Sequence, residues 1–207
     1  MTMAKYSNTA YLALCGLFAA ITAVCSWISV PLGFTPVPVN LATLAVFLAG
    51  GLLGRKYGSI AMAVYALLGA VGVPVFAGFR GGLGVLAGPT GGYIIGYIAA
   101  AFLVGLIIEI GLSGQEHVYS PEDSAGDGPR NSALQMRSGR TREYLVCVIA
   151  MIAGLAACYF LGTIWFIITT HTGVWASLTA CVFPFLPGDA LKIAAAAILV
   201  QKLHRLI

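Results

Sequence analysis

Between two long apolar segments of this chain lies the stretch Val73-Pro-Val-Phe-Ala-Gly-Phe-Arg-Gly-Gly-Leu-Gly-Val-Leu-Ala-Gly-Pro-Thr-Gly-Gly-Tyr93. From Ala77 to Gly92 it holds seven glycines, one proline and one charged residue, Arg80. Glycine and proline at this density destabilise a helix interior, so the stretch is not a transmembrane helix. Its other residues are nearly all apolar, and irregular backbone near a membrane is tolerated where it is buried in protein or lines a cavity. We therefore predict a loop that folds over a small-molecule site.

The composition is typical of a polytopic membrane protein. Of the 207 residues, 59% are hydrophobic and 9% are charged, whereas a soluble domain carries about 25% charged residues. The formal net charge of +4 is small and the basic residues are scattered, which argues against a nucleic acid partner. The five cysteines form no CxxC pair, so we interpret them as thiols buried in apolar surroundings.

We predict an all-α membrane protein, a single domain over residues 1–207, with six transmembrane helices and the glycine-rich loop on the outer side between helices 3 and 4. The second span is short for a bilayer, so we expect it to be tilted, broken or partly shielded. A further apolar piece, Val174–Phe185, has about a dozen residues and is interpreted as a short interfacial or re-entrant helix. The six expected spans are Ala10–Val30, Asn40–Gly54, Tyr57–Val75, Gly92–Leu112, Tyr144–Thr169 and Gly188–Leu203.

The basic residues predict the orientation in a cell membrane. With cytoplasmic N- and C-termini, the outer segments hold only Arg80, while the inner segments hold nine Lys and Arg, as the positive-inside rule expects. The hydrophilic insert Ser113–Arg142 is acidic at its start, basic at its end, and without apolar periodicity. We interpret it as a mostly disordered cytoplasmic linker. The inner basic residues are Lys5, Arg55, Lys56, Arg130, Arg137, Arg140, Arg142, Lys202 and Arg205.

The sharpest pair of polar residues stands at the start of the sixth span, in Phe183-Pro-Phe-Leu-Pro-Gly-Asp-Ala-Leu-Lys192. Asp189 falls in the first helical turn, and Lys192 is three residues further, on the same helix face. One interpretation is a helix cap together with a lysine whose charge reaches the interface. The other is a ligand or ion site, because ionisable residues inside a membrane are costly and usually functional.

Further candidates lie around the loop. Asn40 and Thr90 precede spans and are either helix caps or ligand contacts, and Tyr93 is either an interfacial anchor or part of the site. The Pro-Thr-Gly-Gly sequence that ends at Gly92 can present the free N–H groups of a helix N-terminus, Gly91 among them, to an anion. Arg80, Phe76 and Trp165 complete the predicted ligand-binding set as a cation and two aromatic walls.

Motifs for nucleotide binding and for catalysis are missing from the sequence. It contains no G-x-x-x-x-G-K-[ST] phosphate loop, no HExxH, no Gly-x-Ser-x-Gly and no recognisable nucleophile–base pair. We therefore expect neither an enzyme nor a bound cofactor. The first span has small residues at four-residue spacing, Cys15, Ala19 and Ala23 and also Gly16 and Ala20. Such a face serves internal packing or the docking of another membrane protein.

Four segments taken together resemble the BioY family, the biotin-specific S components of energy-coupling factor transporters. The resemblance implies six helices, biotin captured from the outer side, and assembly with a membrane coupling protein (the T component) and two ATPases. It also implies that Ala19 and Ala23 form the docking face, and that Asp189 and Lys192 are polar ligands of biotin. The segments are Pro36–Gly54, Leu68–Gly78, Gly88–Tyr93 and Pro184–Lys192.

The chemistry of biotin suits these residues. Its ureido ring has two N–H donors and a carbonyl, and its tail ends in a carboxylate. Asp189 can accept from the ring, Lys192 or Asn40 can donate to the carbonyl or to the tail, and aromatic side chains can cover the apolar body. The alternative is a stand-alone, ion-coupled carrier of small molecules that uses Asp189.

Overall fold

The computed structural model describes residues 8–113 and 129–204. It is mainly helical, and its elements follow the apolar segments of the sequence. A two-residue antiparallel pair of strands, β1 and β2, links the first two helices. In chain order the elements are α1 (Asn8–Trp27), β1 (Ser29–Val30), β2 (Val39–Asn40), α2 (Ala42–Ala70), α3 (Leu83–Ala87), α4 (Gly91–Leu112), α5 (Pro129–Thr170), α6 (Val174–Cys181) and α7 (Leu186–Leu203).

Helix α2 covers two of the expected spans and is broken at Gly54, whose φ of 76° and ψ of 178° are not helical. The chain turns back on itself there, since a Cβ placed on Gly58 would lie 2.9 Å from the Ala49 carbonyl oxygen. Glycine suits the turn because it adopts positive φ without steric cost. The two arms of α2 therefore pack side by side, and the start of the first arm lies near the end of the second.

The helices pack through small side chains. Helix α4 lies between α2 and α5, α1 packs on α2, and α7 packs on α2 and α5. Small residues at the contacts let the backbones approach closely, as is usual between membrane helices. A Cβ on Gly50, for example, would lie 2.6 Å from the Ala101 carbonyl oxygen. The alanines at these contacts are almost completely buried: Ala42, Ala45, Ala49, Ala100, Ala101, Ala150, Ala196 and Ala197.

By length and apolar composition, three helical segments in the described part of the chain are able to cross a membrane: Thr9–Trp27, Gly91–Leu112 and Thr141–Thr170. The pair α6 and α7, bent by 51° at a short break, makes a fourth if it is taken as one span. The expected piece Val174–Phe185 corresponds to α6 and this bend.

Two expected boundaries differ most from the structure. Helix α2 ends at Ala70 rather than at Val75, because Gly72 takes a φ of 110° and the chain leaves the helix. Helix α5 begins at Pro129, so residues 129–142, which we expected to belong to a disordered linker, are helical. A proline is well tolerated at a helix start, and the following residues include the helix formers Ala133, Leu134 and Met136. The rest of the predicted linker, residues 114–128, lies outside the described residues.

Candidate functional site

A cavity opens where the start and end of α2 meet α4, α5 and α7. A concave, mostly apolar lining with a few polar groups is typical of small-molecule sites. Aromatic rings make up much of its wall, and three of the described lining residues are charged. The polar and aromatic residues of the lining are Ser26, Asn40, Thr43, Tyr65, Phe76, Arg80, Thr90, Tyr93, Tyr97, Tyr159, Phe185, Asp189 and Lys192.

The base of the cavity is a buried ion pair. Asp189 is 2% exposed and Lys192 is 9% exposed. The Lys192 ammonium donates to Asp189 Oδ1 at 2.7 Å, as the three-residue spacing predicted. Phe185, not Asp189, occupies the N-cap position of α7. The geometry therefore favours an ion pair facing the cavity over the helix-cap interpretation of Asp189.

Two hydroxyl groups from other helices complete this network. The Thr43 hydroxyl accepts from the Lys192 ammonium at 3.1 Å and donates to Asp189 Oδ1 at 3.2 Å. The Tyr159 hydroxyl donates to Asp189 Oδ2. Both carboxylate oxygens of Asp189 and the ammonium of Lys192 therefore have hydrogen-bond partners. A buried ion pair needs such partners to offset the cost of removing its charges from water.

Some of the residues predicted at helix starts form hydrogen bonds to the helix backbone, and some line the cavity. Asn40 does both, since its Oδ1 accepts from the backbone N–H of Ala42 at 3.1 Å while its side chain lines the cavity. Thr90 is the N-cap residue of α4, but its side chain makes no capping bond. Tyr93 is buried and its hydroxyl lies 3.5 Å from Thr163 Oγ1, so its burial argues against an interfacial anchor.

The glycine-rich segment contributes Phe76 and Arg80 to the cavity wall. Phe76 is buried against the second arm of α2, where a Cβ on Gly69 would collide with its ring. Arg80 is exposed at the rim, and its Nε donates to the Ala77 carbonyl oxygen at 3.2 Å. The remaining guanidinium donors can therefore meet an anion at the cavity mouth.

Two of the predicted ligand residues are absent from the described cavity lining, Gly91 and Trp165. Gly91 lies where α4 starts against α3, and a Cβ there would be 1.7 Å from the Leu86 carbonyl oxygen. The Trp165 side chain packs over Gly92, and its Nε1 donates to the Gly88 carbonyl oxygen at 3.0 Å. Gly91 thus allows α3 to approach the start of α4 closely, and Trp165 holds the glycine-rich segment against α5.

The expected docking pair on α1 lies on the face of that helix that packs against α2. Ala19 is 2% exposed and Ala23 is 5% exposed, and both belong to the core that α1 forms with α2. Their small side chains allow this close internal packing. Gly16 and Ala20 are on the exposed face instead, and a Cβ on Gly16 would meet no atom within 4 Å.

Sequence reasoning did not select several residues of the cavity. Thr43 and Tyr159 bond Asp189, and the thiols of Cys158 and Cys181 also line the wall. A tyrosine or threonine inside an apolar span is common, so the sequence carried no signal that marks these. The one available hint was that Thr43 follows Asn40 by three residues at the start of a helix.

Known proteins resemble this chain over most of its length. Residues 1–207 match the BioY family. The chain belongs to the BioY family. It is 37% identical to the biotin transporter BioY of Thermotoga maritima, over 92% of this chain and 94% of that protein. It is 33% identical to the biotin transporter BioY of Rhodobacter capsulatus, over 91% and 90% of the two proteins.

A solved structure shares the BioY fold described above. The crystal structure of the S-component for biotin from an ECF-type ABC transporter superposes with a TM-score of 0.77. The match covers 99% of this chain and 95% of that chain at 25% identity.

Proposed function

We propose that this protein is the biotin-binding S component of an energy-coupling factor transporter for vitamin uptake. The observation that carries the proposal is a cavity with the buried Asp189–Lys192 pair at its base and Arg80 at its rim, in a chain that belongs to the BioY family. The three charged residues of the described lining sum to one positive charge, which complements the single carboxylate of biotin.

The unused hydrogen-bonding positions of the network indicate how the ligand lies. A carboxylate has about four acceptor positions, and Asp189 already accepts from Lys192, Thr43 and Tyr159. One position is left for a ureido N–H. An ammonium has three donors, of which Lys192 uses two, so one is left for the ureido carbonyl. We therefore orient the ureido ring towards α7.

The opposite end of the ligand then faces Arg80. A guanidinium binds a carboxylate through parallel N–H donors, and Arg80 uses only its Nε in the bonds described within the protein. Between the two polar ends, Tyr65, Phe76 and Tyr97 offer apolar surface to the thioether ring. The cavity is thus polar at both ends with aromatic walls between them, which suits a ligand that is polar at both ends and apolar in the middle.

The membrane arrangement that we propose has six crossings. They are α1, the two arms of α2, α4, α5, and the bent pair α6–α7. The arms of α2 are about 18 Å and 24 Å long, so both need their flanking residues to cross a core of about 30 Å. The bias of Lys and Arg assigns the turn at Gly54 and both termini to the cytoplasm, and the cavity with its glycine-rich segment to the outer side.

We propose that a membrane coupling protein and two ATPases supply the energy, because the sequence has no phosphate-binding loop of its own. The contact with the coupling protein uses the exposed face of α1 around Gly16 and Ala20. This assignment replaces the buried pair Ala19 and Ala23. The protein itself is neither an enzyme nor a carrier of a bound cofactor in this proposal.

Titration calorimetry of the purified protein in detergent tests the function. We expect one biotin to bind per chain without ATP and equally with or without sodium. The Arg80→Gln variant should bind biotin more weakly, but bind its uncharged amide, biotinamide, as the wild-type protein does. No heat of binding would contradict the proposal, and binding that needs sodium would favour the ion-coupled carrier.

A further inference from the structure

One wall of the cavity is a short backbone hairpin, residues 76–80, which we call the rim hairpin. Two backbone hydrogen bonds close it, from Phe76 N–H to Arg80 O at 2.9 Å and from Arg80 N–H to Phe76 O at 3.3 Å. Phe76 packs edge-on against Tyr65, with ring centroids 5.5 Å apart. Phe76, Ala77 and Arg80 all line the cavity. The position of the rim hairpin therefore sets the width of the cavity mouth.

Trp27, the last residue of α1, holds this hairpin from outside the cavity. Its indole Nε1 donates to the Pro74 carbonyl oxygen at 2.8 Å, just before the hairpin. Its ring stacks on Phe79 at the hairpin tip, with centroids 5.0 Å apart and planes 25° apart. Trp27 is not among the described residues that line the cavity. Trp27 therefore contacts the hairpin on the side that faces away from the cavity.

The hairpin tip has an unusual backbone. Phe79 has a φ of 56°, and it is one of two non-glycine residues with positive φ in the described part of the chain. Its side chain is 64% exposed. A large residue stays in this conformation only where other contacts compensate for the strain, and such residues concentrate at ligand clamps and switches. The ring stack with Trp27 is the contact described for this side chain.

We infer that Trp27 is a positioning residue of the ligand site, which clamps the rim hairpin over the cavity and thereby slows ligand escape. The inference deepens the proposed function, since biotin is the ligand whose escape is slowed. Ligand entry and exit require the hairpin to move, and that movement breaks both contacts of Trp27. Because Trp27 belongs to α1, a partner that displaces α1 acts directly on the cavity mouth.

The test measures biotin dissociation from the full-length protein in detergent, by chasing radiolabelled biotin with an excess of unlabelled biotin. Trp27→Leu and Phe79→Leu should each raise the dissociation rate about tenfold, as the loss of an aromatic pair worth about 1.4 kcal/mol predicts. The association rate should rise as well, because entry requires the same movement of the hairpin, and the melting temperature of the empty protein should change little. The double variant should resemble Trp27→Leu, because that variant has already lost the ring stack with Phe79.

The matched control is Trp175→Leu, which removes an exposed tryptophan of α6 that packs on Phe183 outside the described cavity lining. The control should dissociate as the wild-type protein does. The inference is overturned if dissociation is unchanged in Trp27→Leu, if the control accelerates it equally, or if the empty variant melts at a markedly lower temperature.

A second readout does not depend on biotin. Cys158 and Cys181 line the cavity, so a small thiol reagent must pass the mouth to reach them. In the empty protein, Trp27→Leu should label at these two positions faster than the wild type and Trp175→Leu, as located by peptide mass spectrometry. Equal labelling overturns the clamp. Failure of the wild type to bind biotin would overturn the proposed function instead and leave the labelling result to decide the clamp.

Discussion

At the scale of single residues, the Asp189–Lys192 pair serves two purposes that can be separated. Both side chains are nearly inaccessible, and each compensates the charge of the other. Removal of one partner from a buried pair leaves an uncompensated charge, which costs about 3–5 kcal/mol. The same atoms offer the free acceptor and donor that we assign to the ureido group. Stability and ligand binding therefore depend on the same pair for different reasons.

Asp189→Asn should lower both properties, because Lys192 loses its counter-charge and the ligand loses a charged acceptor. We expect biotin affinity to fall by about tenfold to a hundredfold, which corresponds to about 1.4–2.8 kcal/mol, and the melting temperature to fall as well. In the double variant Asp189→Asn with Lys192→Met, the melting temperature should recover while the affinity does not. Calorimetry and thermal unfolding in detergent measure both. Recovery of binding in the double variant would show that Asp189 acts only on folding.

Tyr159 gives a milder test of the same network. Tyr159→Phe removes one donor to Asp189 and leaves the ring in place, so Asp189 binds the ligand in a less fixed orientation. A lost hydrogen bond to a charged group is worth about 1.5–3 kcal/mol, and we expect affinity to fall about tenfold. Tyr144→Phe is the control, a partly buried tyrosine of the same helix packed in the second hydrophobic cluster. Equal affinities for both variants would remove Tyr159 from the site.

The residues of this network differ in how far the sequence could predict them. Asp189 and Lys192 are neighbours on one helix, so their spacing alone predicted the contact. Thr43 reaches Asp189 from 146 positions away in the chain, and Tyr159 from 30. Contacts of that kind depend on which helices pack together, and a single sequence contains no information on that pairing. The sequence could not choose between internal packing and docking for the small-residue faces of α1 for the same reason, since two such faces were available and only packing decides which one is buried.

At the scale of the elements, α4 is fitted against the turn of α2. Glu109 of α4 makes two contacts with Arg55. Its Oε1 accepts from the backbone N–H of Arg55 at 2.9 Å, and its Oε2 forms a salt bridge with Arg55 Nε at 3.2 Å. One turn earlier, a Cβ on Gly105 would lie 2.2 Å from the Arg55 backbone nitrogen. At Gly105 the surface of α4 therefore has room for the α-hydrogen of glycine but not for a Cβ atom.

Gly105→Ala should therefore destabilise the protein although alanine is the better helix former. Overpacking of this kind costs about 1–3 kcal/mol, and we expect a melting temperature lower by roughly 5 °C. Gly16→Ala is the control, because its added methyl group points into open space and should leave stability equal or higher. An unchanged melting temperature in Gly105→Ala would mean that α4 can move away from the turn without cost.

At the scale of the whole molecule, the exposed face of α1 makes the transporter assembly testable. Gly16→Trp with Ala20→Trp should leave biotin binding unchanged and abolish ATP-dependent uptake and co-purification with the coupling protein, because bulk prevents close helix contact. Ala19→Trp should instead reduce the amount of folded protein, since Ala19 is enclosed by α2. Uptake assays in cells, with binding measured on the purified protein, separate these results. Normal uptake by the Gly16–Ala20 variant would place the docking contact on another helix.

Helix α5 is long enough to extend well beyond the cavity on one side. Its 42 residues form a rod of about 63 Å, roughly twice the thickness of the hydrocarbon core. Tyr159 touches the ion pair near one end, and Pro129 lies about 45 Å away along the axis at the other end. A small rotation of α5 about the cavity would therefore become a larger displacement at Pro129. We expect a fluorophore or spin label placed there to report cavity filling from outside the bilayer.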